Sequence, residues 1–123
     1  MALIVKKFGG TSVVDIKKIK NIASSICQSK EGNEIVVVVS AMGQTTDDLN
    51  SLAESISKNP NQRELDMLLS TGEQVTISLL SMALNEYGIP AISMTGSQVG
   101  IITESIHGKA RILDIKTERI QII

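Results

Sequence analysis

Apolar and polar positions divide this chain into segments of two kinds. In "ALIVKK" at 2 to 7 and "EIVVVVS" at 34 to 40 the apolar residues run together, rich in β-branched side chains, and stop abruptly at polar groups, as strands covered on both faces do. Between them Ile16, Ile19, Ile22, Ala23 and Ile26 recur at helical spacing, with Lys17, Lys18 and Lys20 elsewhere and Asp15 placed to cap the start. Strand, helix and strand in this order predict a parallel βαβ unit with a right-handed connection.

A second helix is expected over Asp47 to Ser57, ended by the loop signal "KNPNQ" around Pro60. Leu65, Leu68, Leu69, Gly72, Val75, Thr76, Leu79, Leu80 and Ala83 then mark a long amphipathic helix that stops near Gly88. "PAISM" reads as a further strand, and the stretch from 96 to 115 as a hairpin or irregular excursion. In the tail "TERIQII", Ile120 and Ile123 have helical spacing, as if a helix were starting where the chain is cut.

The βαβ reading brings two polar loops to one sheet edge, "KFGGTS" after the first strand and "SAMGQTTDD" after the second. That edge is where open α/β sheets bind their ligands. In the first loop Gly9 and Gly10 allow close approach of an anion to the main chain, and the amides with the following helix favour negative charge. Strand alternation puts Lys7 on the face of Val5, with its ammonium at the last strand position. The same residues suit a plain tight turn with a surface lysine, and they match neither GxGxxG nor GxxxxGK[ST]. The second loop offers Ser40, Gly43, Thr45, Thr46, Asp47 and Asp48, as donors to an anion, as cation ligands, or as caps of the next helix through Thr46 or Asp47.

Glu73, in "LLSTGEQV", falls about 40° from Leu69 on a helical projection, at the border of the apolar arc. A carboxylate there either reaches out to water or meets a partner such as a substrate ammonium. His107 has no companions for a zinc site or a triad, and Cys27 reads as packing.

Composition narrows the function classes. The 123 residues are 42% hydrophobic, which suits one domain or part of one, and 12 Lys plus Arg balance 13 Asp plus Glu. With near-neutral charge and only Phe8 and Tyr87 as aromatics, nucleic acid is not an expected partner. The opening lacks the pattern of a secretory signal and no apolar run is read as a membrane span, so no membrane is expected either. A single cysteine fits a reducing compartment, and the chain is expected to be cytoplasmic.

Four segments together, "VKKFGGTSV", "VVVVSAMGQTTDDL", "LLSTGEQVTISLL" and "GSQVGIIT" with "HGKARI", resemble the amino-terminal part of the aspartokinase family, in the family's order and over nearly the whole chain. The resemblance implies the amino-acid-kinase fold, a three-layer α/β/α sandwich on a mainly parallel sheet, truncated here. It also implies transfer of the γ-phosphoryl group of ATP, with Mg²⁺, to the side-chain carboxylate of L-aspartate, the first step toward lysine, methionine and threonine, in a homo-oligomeric parent. By the same carry-over, Lys7, Phe8, Gly9, Gly10 and Ser40 hold the ATP phosphates, Lys7 being the catalytic residue, while Thr46, Asp47, Asp48 and Glu73 belong to the aspartate side.

Residues 1 to 123 would thus be the amino-terminal portion of the kinase domain, lacking an "LGRGGSD"-like segment, the adenine-binding half and the ACT regulatory domains. The isolated piece is expected to have little or no activity. Three alternatives stay open: a non-catalytic module that binds phosphate or nucleotide through the glycine loop, a fragment that self-associates through an unfinished sheet edge, and a related kinase acting on another small amino acid or carbamate, against which "TTDDL" and "STGEQ" favour aspartate by resemblance.

Overall fold

The computed structural model describes residues 2–106 and 109–118. His107 and the expected helix start at Ile120 and Ile123 lie outside the described residues. The chain opens with β1 (Leu3–Phe8), a short 3₁₀ turn (Gly10–Val13), α1 (Ile16–Ser29) and β2 (Glu34–Val39). It continues with α2 (Thr45–Ile56), α3 (Gln62–Glu86) and the short strands β3 (Ile101–Thr103) and β4 (Ile112–Ile115).

β1 and β2 form the expected parallel pair, in register from Leu3 opposite Glu34 to Phe8 opposite Val39. The register decides which side chains share a face. Phe8, Ile35, Val37 and Val39 pack against a core made by Val13, by Ile19, Ile22, Ala23 and Ile26 of α1, and by Leu80 and Leu84 of α3. On the opposite face Leu3, Val5 and Val38 are 67%, 65% and 49% exposed, so among the described residues helices cover this sheet on one side only. The architecture is α/β, with one helical layer on the described parallel pair.

The helix ends are set locally. The Lys18 amide donates to Asp15 Oδ1 at 2.9 Å, so Asp15 caps α1 as its position predicted. Asn61 caps α3 in the same way, accepting from the Glu64 amide. At the other end of α3, Gly88 takes φ +77 and the amides of Gly88 and Ile89 donate back to Asn85 and Leu84. This reversal satisfies the last carbonyls of the helix and folds Ile89 back onto the core beside Leu84.

Several expectations change. Residues 90–94 form no strand; among the described residues they have no ladder partner, and Ala91 packs against the core instead. α2 begins at Thr45 with Gln44 as its cap residue, which places Thr46, Asp47 and Asp48 inside the first turn. Neither Thr46 nor Asp47 is therefore the cap; the two aspartates instead face the positive end of the helix dipole. Ile16 and Val75 were expected on apolar faces but are about half exposed, because the buried stripes run through Ile19–Ile26 and through Gly72, Thr76, Leu80 and Leu84. By length and composition α3 also passes as a helix able to cross a membrane, although no membrane span is expected from the sequence pattern. Here its buried stripe is the part that packs in the core.

The stretch from 96 to 115 does form a hairpin, β3 antiparallel to β4, with Ile101 opposite Ile115. Gly100, at φ +92, lets the chain pass so close to Lys116 that a side chain there would collide with its carbonyl.

Candidate functional site

The site assembles at the carboxyl ends of β1 and β2, because parallel strands in register finish side by side. One step beyond the last paired residues the Ser40 amide still donates to the Phe8 carbonyl at 3.3 Å. Gly9 follows in extended backbone and lies against the Ser40 side chain, whose Oγ is 3.6 Å from where a Cβ on Gly9 would stand. Gly10 turns to φ +56, a left-handed conformation that favours glycine, and opens the 3₁₀ turn closed by the Ser12 amide on the Gly9 carbonyl. The amides of Gly10 and Thr11 open this turn and have no acceptor within it.

The helical turn that follows the glycine pair is thus this 3₁₀ segment and not α1. α1 starts only at Ile16, with the Asp15 carboxylate already on its amino end. Its dipole is partly answered by that carboxylate, so the loop's attraction for an anion rests on local amides and on lysine.

The two lysines of β1 point to opposite faces. Lys6, half-buried on the helix side, donates from Nζ to Ser29 Oγ at 2.7 Å and ties the strand to the end of α1. Lys7 stands exposed on the open face with Leu3 and Val5, opposite Val38. Among the described residues its ammonium has no ion-pair or hydrogen-bond partner, and the same holds for the half-buried carboxylate of Glu73. Phe8 alternates to the other face, where its side chain packs on the core; what it presents to the loop is its backbone. The Ser40 hydroxyl donates to the Ala41 carbonyl at 3.1 Å, so it must rotate before it donates to a ligand.

Two further close approaches fix the second loop. Gly43, at φ +50, brings its backbone to the Val14 carbonyl, 3.1 Å from where a Cβ would be, so the first loop and the second are in contact. Buried Gly72 of α3 lies against Ala41, Thr45 and Leu49, with 3.1, 3.2 and 3.4 Å left for a Cβ. Thr46 and Glu73 each sit one residue beyond a member of this contact, Thr46 half-buried and Glu73 at the border of the helix face as projected. Asp47 and Asp48 are exposed.

The structure therefore brings Gly9 to Ser40 and the Gly72 turn of α3 to the start of α2. It does not enclose these groups. Of the hollows among the described residues, one borders the glycine loop, between Phe8, Ser12 and the Lys18–Ser25 side of α1, and another lies between α2 and α3 around Pro60. Among the described residues no three of His, Cys, Asp and Glu gather as a metal cage. A magnesium ion that arrives on nucleotide phosphates needs only one or two carboxylates from the protein, so this donor set fits a metal carried by its ligand. Sequence reasoning named Gly43 and Gly72 without seeing that each is a packing contact; a glycine inside an otherwise regular helical pattern was the available signal for the second.

The model of the amino acid kinase family matches residues 2–123. An aspartokinase of Bacillus sp. (strain MGA3) is 62% identical over 122 residues, covering 98% of this chain and 30% of the relative. Aspartokinase 2 of Bacillus subtilis (strain 168) is 63% identical over 118 residues, covering 95% and 29%. The crystal structure of aspartate kinase from Synechocystis superposes with a TM-score of 0.76 at 61% identity, over 80% of this chain and 17% of that one. The chain thus spans about 30% of the length of the curated relatives it matches.

Proposed function

The chain belongs to the amino acid kinase family, and we propose that it is the amino-terminal portion of the catalytic domain of an aspartate kinase. The parent transfers the γ-phosphoryl group of ATP to the side-chain carboxylate of L-aspartate: a carboxylate oxygen bonds to phosphorus, the bond to the ADP oxygen breaks, and 4-phospho-L-aspartate and ADP leave. The supporting observation is the pair of contacts Gly9–Ser40 and Gly72–Thr45, which hold the glycine loop and the Thr46–Glu73 region on the same β2–α2 connection. Identity of about 60% to named aspartokinases over nearly the whole chain supports the choice of acceptor.

Phosphoryl transfer of this kind asks for positioning and charge stabilisation more than for a covalent nucleophile. In this reading the Lys7 ammonium, unpartnered among the described residues, follows the negative charge from donor to acceptor. The amides of Gly9 and Gly10, the Phe8 backbone and a rotated Ser40 hydroxyl hold phosphate oxygens. The Glu73 carboxylate takes the ammonium of aspartate, with Thr46, Asp47 and Asp48 beside it. Mg²⁺ bound to the nucleotide supplies further neutralisation of phosphate charge. The adenine-binding half and the ACT regulatory domains belong to the remainder of a homo-oligomeric parent. That parent works in the cytoplasm, at the first step toward lysine, methionine and threonine.

A coupled assay of ADP release by the full-length parent, with and without L-aspartate, tests the reading. Turnover should depend on aspartate and fall by about 10²-fold or more in Lys7→Ala. Aspartate-independent turnover, or a Lys7→Ala enzyme of near-normal rate, would sink it. The exposed apolar face of Leu3, Val5 and Val38 favours a second reading for the isolated piece, that it self-associates and has no catalytic role of its own.

A further inference from the structure

Glycine is one of the poorest helix formers, yet Gly72 lies well inside the 25-residue helix α3 and is buried. Something other than helix formation must require it. Three groups crowd the place its side chain would occupy: the Ala41 Cβ at 3.1 Å, the Thr45 Cγ2 at 3.2 Å and the Leu49 Cδ1 at 3.4 Å. They are not equivalent obstacles. The methyls of Thr45 and Leu49 sit at the ends of rotatable side chains, whereas the Ala41 Cβ is fixed to the backbone and can yield only if the β2–α2 connection or α3 itself moves. Ala41 is buried, directly after Ser40, so that connection has little room to give.

We propose that Gly72 is a positioning residue for the acceptor side of the site. By bearing no side chain it sets how closely α3 approaches the start of α2, and so where Glu73 stands relative to Thr46. Gly72 itself touches no substrate. The glycine loop meets the same connection one residue earlier, at Ser40 through Gly9, and by ordinary contact rather than the tight approach made at Gly72. A change at Gly72 acts first on the acceptor side, because the helix turn and the start of α2 that it would push apart carry Glu73 and Thr46. The inference rests on the aspartate-kinase reading above and adds to it the residue that sets the acceptor geometry.

The test uses the full-length parent as wild type, Gly72→Ala, Ala41→Gly and the double variant. A methyl group added at Gly72 should raise KM for aspartate by about fivefold or more, since small displacements of binding groups carry large kinetic effects, while KM for ATP stays within about twofold. Ala41→Gly alone should leave both constants within about twofold of wild type, and in the double variant it should restore KM for aspartate to that range by removing the rigid obstacle. A Gly72→Ala enzyme that folds poorly alone but recovers folding and the aspartate KM in the double variant also supports the proposal. Unchanged KM for aspartate in Gly72→Ala, an equal rise in both KM values, or a defect that persists in the double variant would each overturn it. Wild-type turnover that ignores aspartate would overturn the kinase reading and this inference together, an outcome distinct from those.

Discussion

The Ser40 amide donates to the Phe8 carbonyl at 3.3 Å, one step past the last paired residues of the parallel sheet. This bond extends the ladder into the loops and holds Gly9 against the Ser40 side chain. The two glycines that follow Phe8 therefore do different work. Gly9 is extended, with ordinary contact distance for a Cβ, whereas Gly10 has φ +56 and open space around it.

Gly10→Ala should strain the turn by about 1 kcal/mol, the cost of a left-handed conformation for a residue with a Cβ. Native-state hydrogen exchange of the Ser12 and Val13 amides in the parent should speed up by about fivefold. Gly9→Ala should leave that exchange unchanged. Equal effects of the two substitutions would contradict the backbone geometry described.

Lys6 and Lys7 are neighbours in sequence on opposite faces of β1. Lys6→Ala removes a charged donor from Ser29 and should cost about 1.5 kcal/mol at the junction of β1 and α1, read as faster exchange near the end of α1, with turnover within about twofold of wild type. Lys7→Ala should show the reverse: stability within about 0.5 kcal/mol, because the exposed side chain has no partner among the described residues, and turnover nearly lost.

Gly100→Ala places a Cβ into the Lys116 carbonyl, at a backbone φ of +92. The join between β3 and β4 should lose about 2 kcal/mol, and the Lys116 amide, which donates to the Gly100 carbonyl at 2.8 Å, should lose its exchange protection. Retained protection at Lys116 would show that the hairpin closes in some other way.

In the isolated 123-residue chain the uncovered face of Leu3, Val5 and Val38 should drive association that rises with concentration in sedimentation velocity. Replacing Leu3 and Val38 by Glu should weaken that association by about tenfold, or ~1.4 kcal/mol. An unchanged association constant would place the contact on another surface.

Much of the fold was legible in local pattern. The apolar runs of β1 and β2, the isoleucine stripe of α1 and the Asp15 cap are properties of neighbouring residues, and they led to the parallel pair and to the convergence of its two loops. "PAISM" failed as a strand because a strand exists only with a ladder partner, and a run of apolar residues does not say whether one is present. The start of α2 was placed late because Gln44 bears no side-chain cap bond that the residue type would announce.

The amino-acid sequence by itself determined the elements from β1 through α3 and the residue types offered at the sheet edge, because periodicity and turn chemistry are written along the chain, and its four motif segments carried the resemblance to the family. Only the tertiary structure decided that Phe8 turns its side chain to the core while Lys7 stays on the open face, and that Gly43 and Gly72 are the places where separate segments touch. Those facts depend on register and on distances between residues far apart in the chain. They follow from close packing of one segment against another, which no single segment encodes.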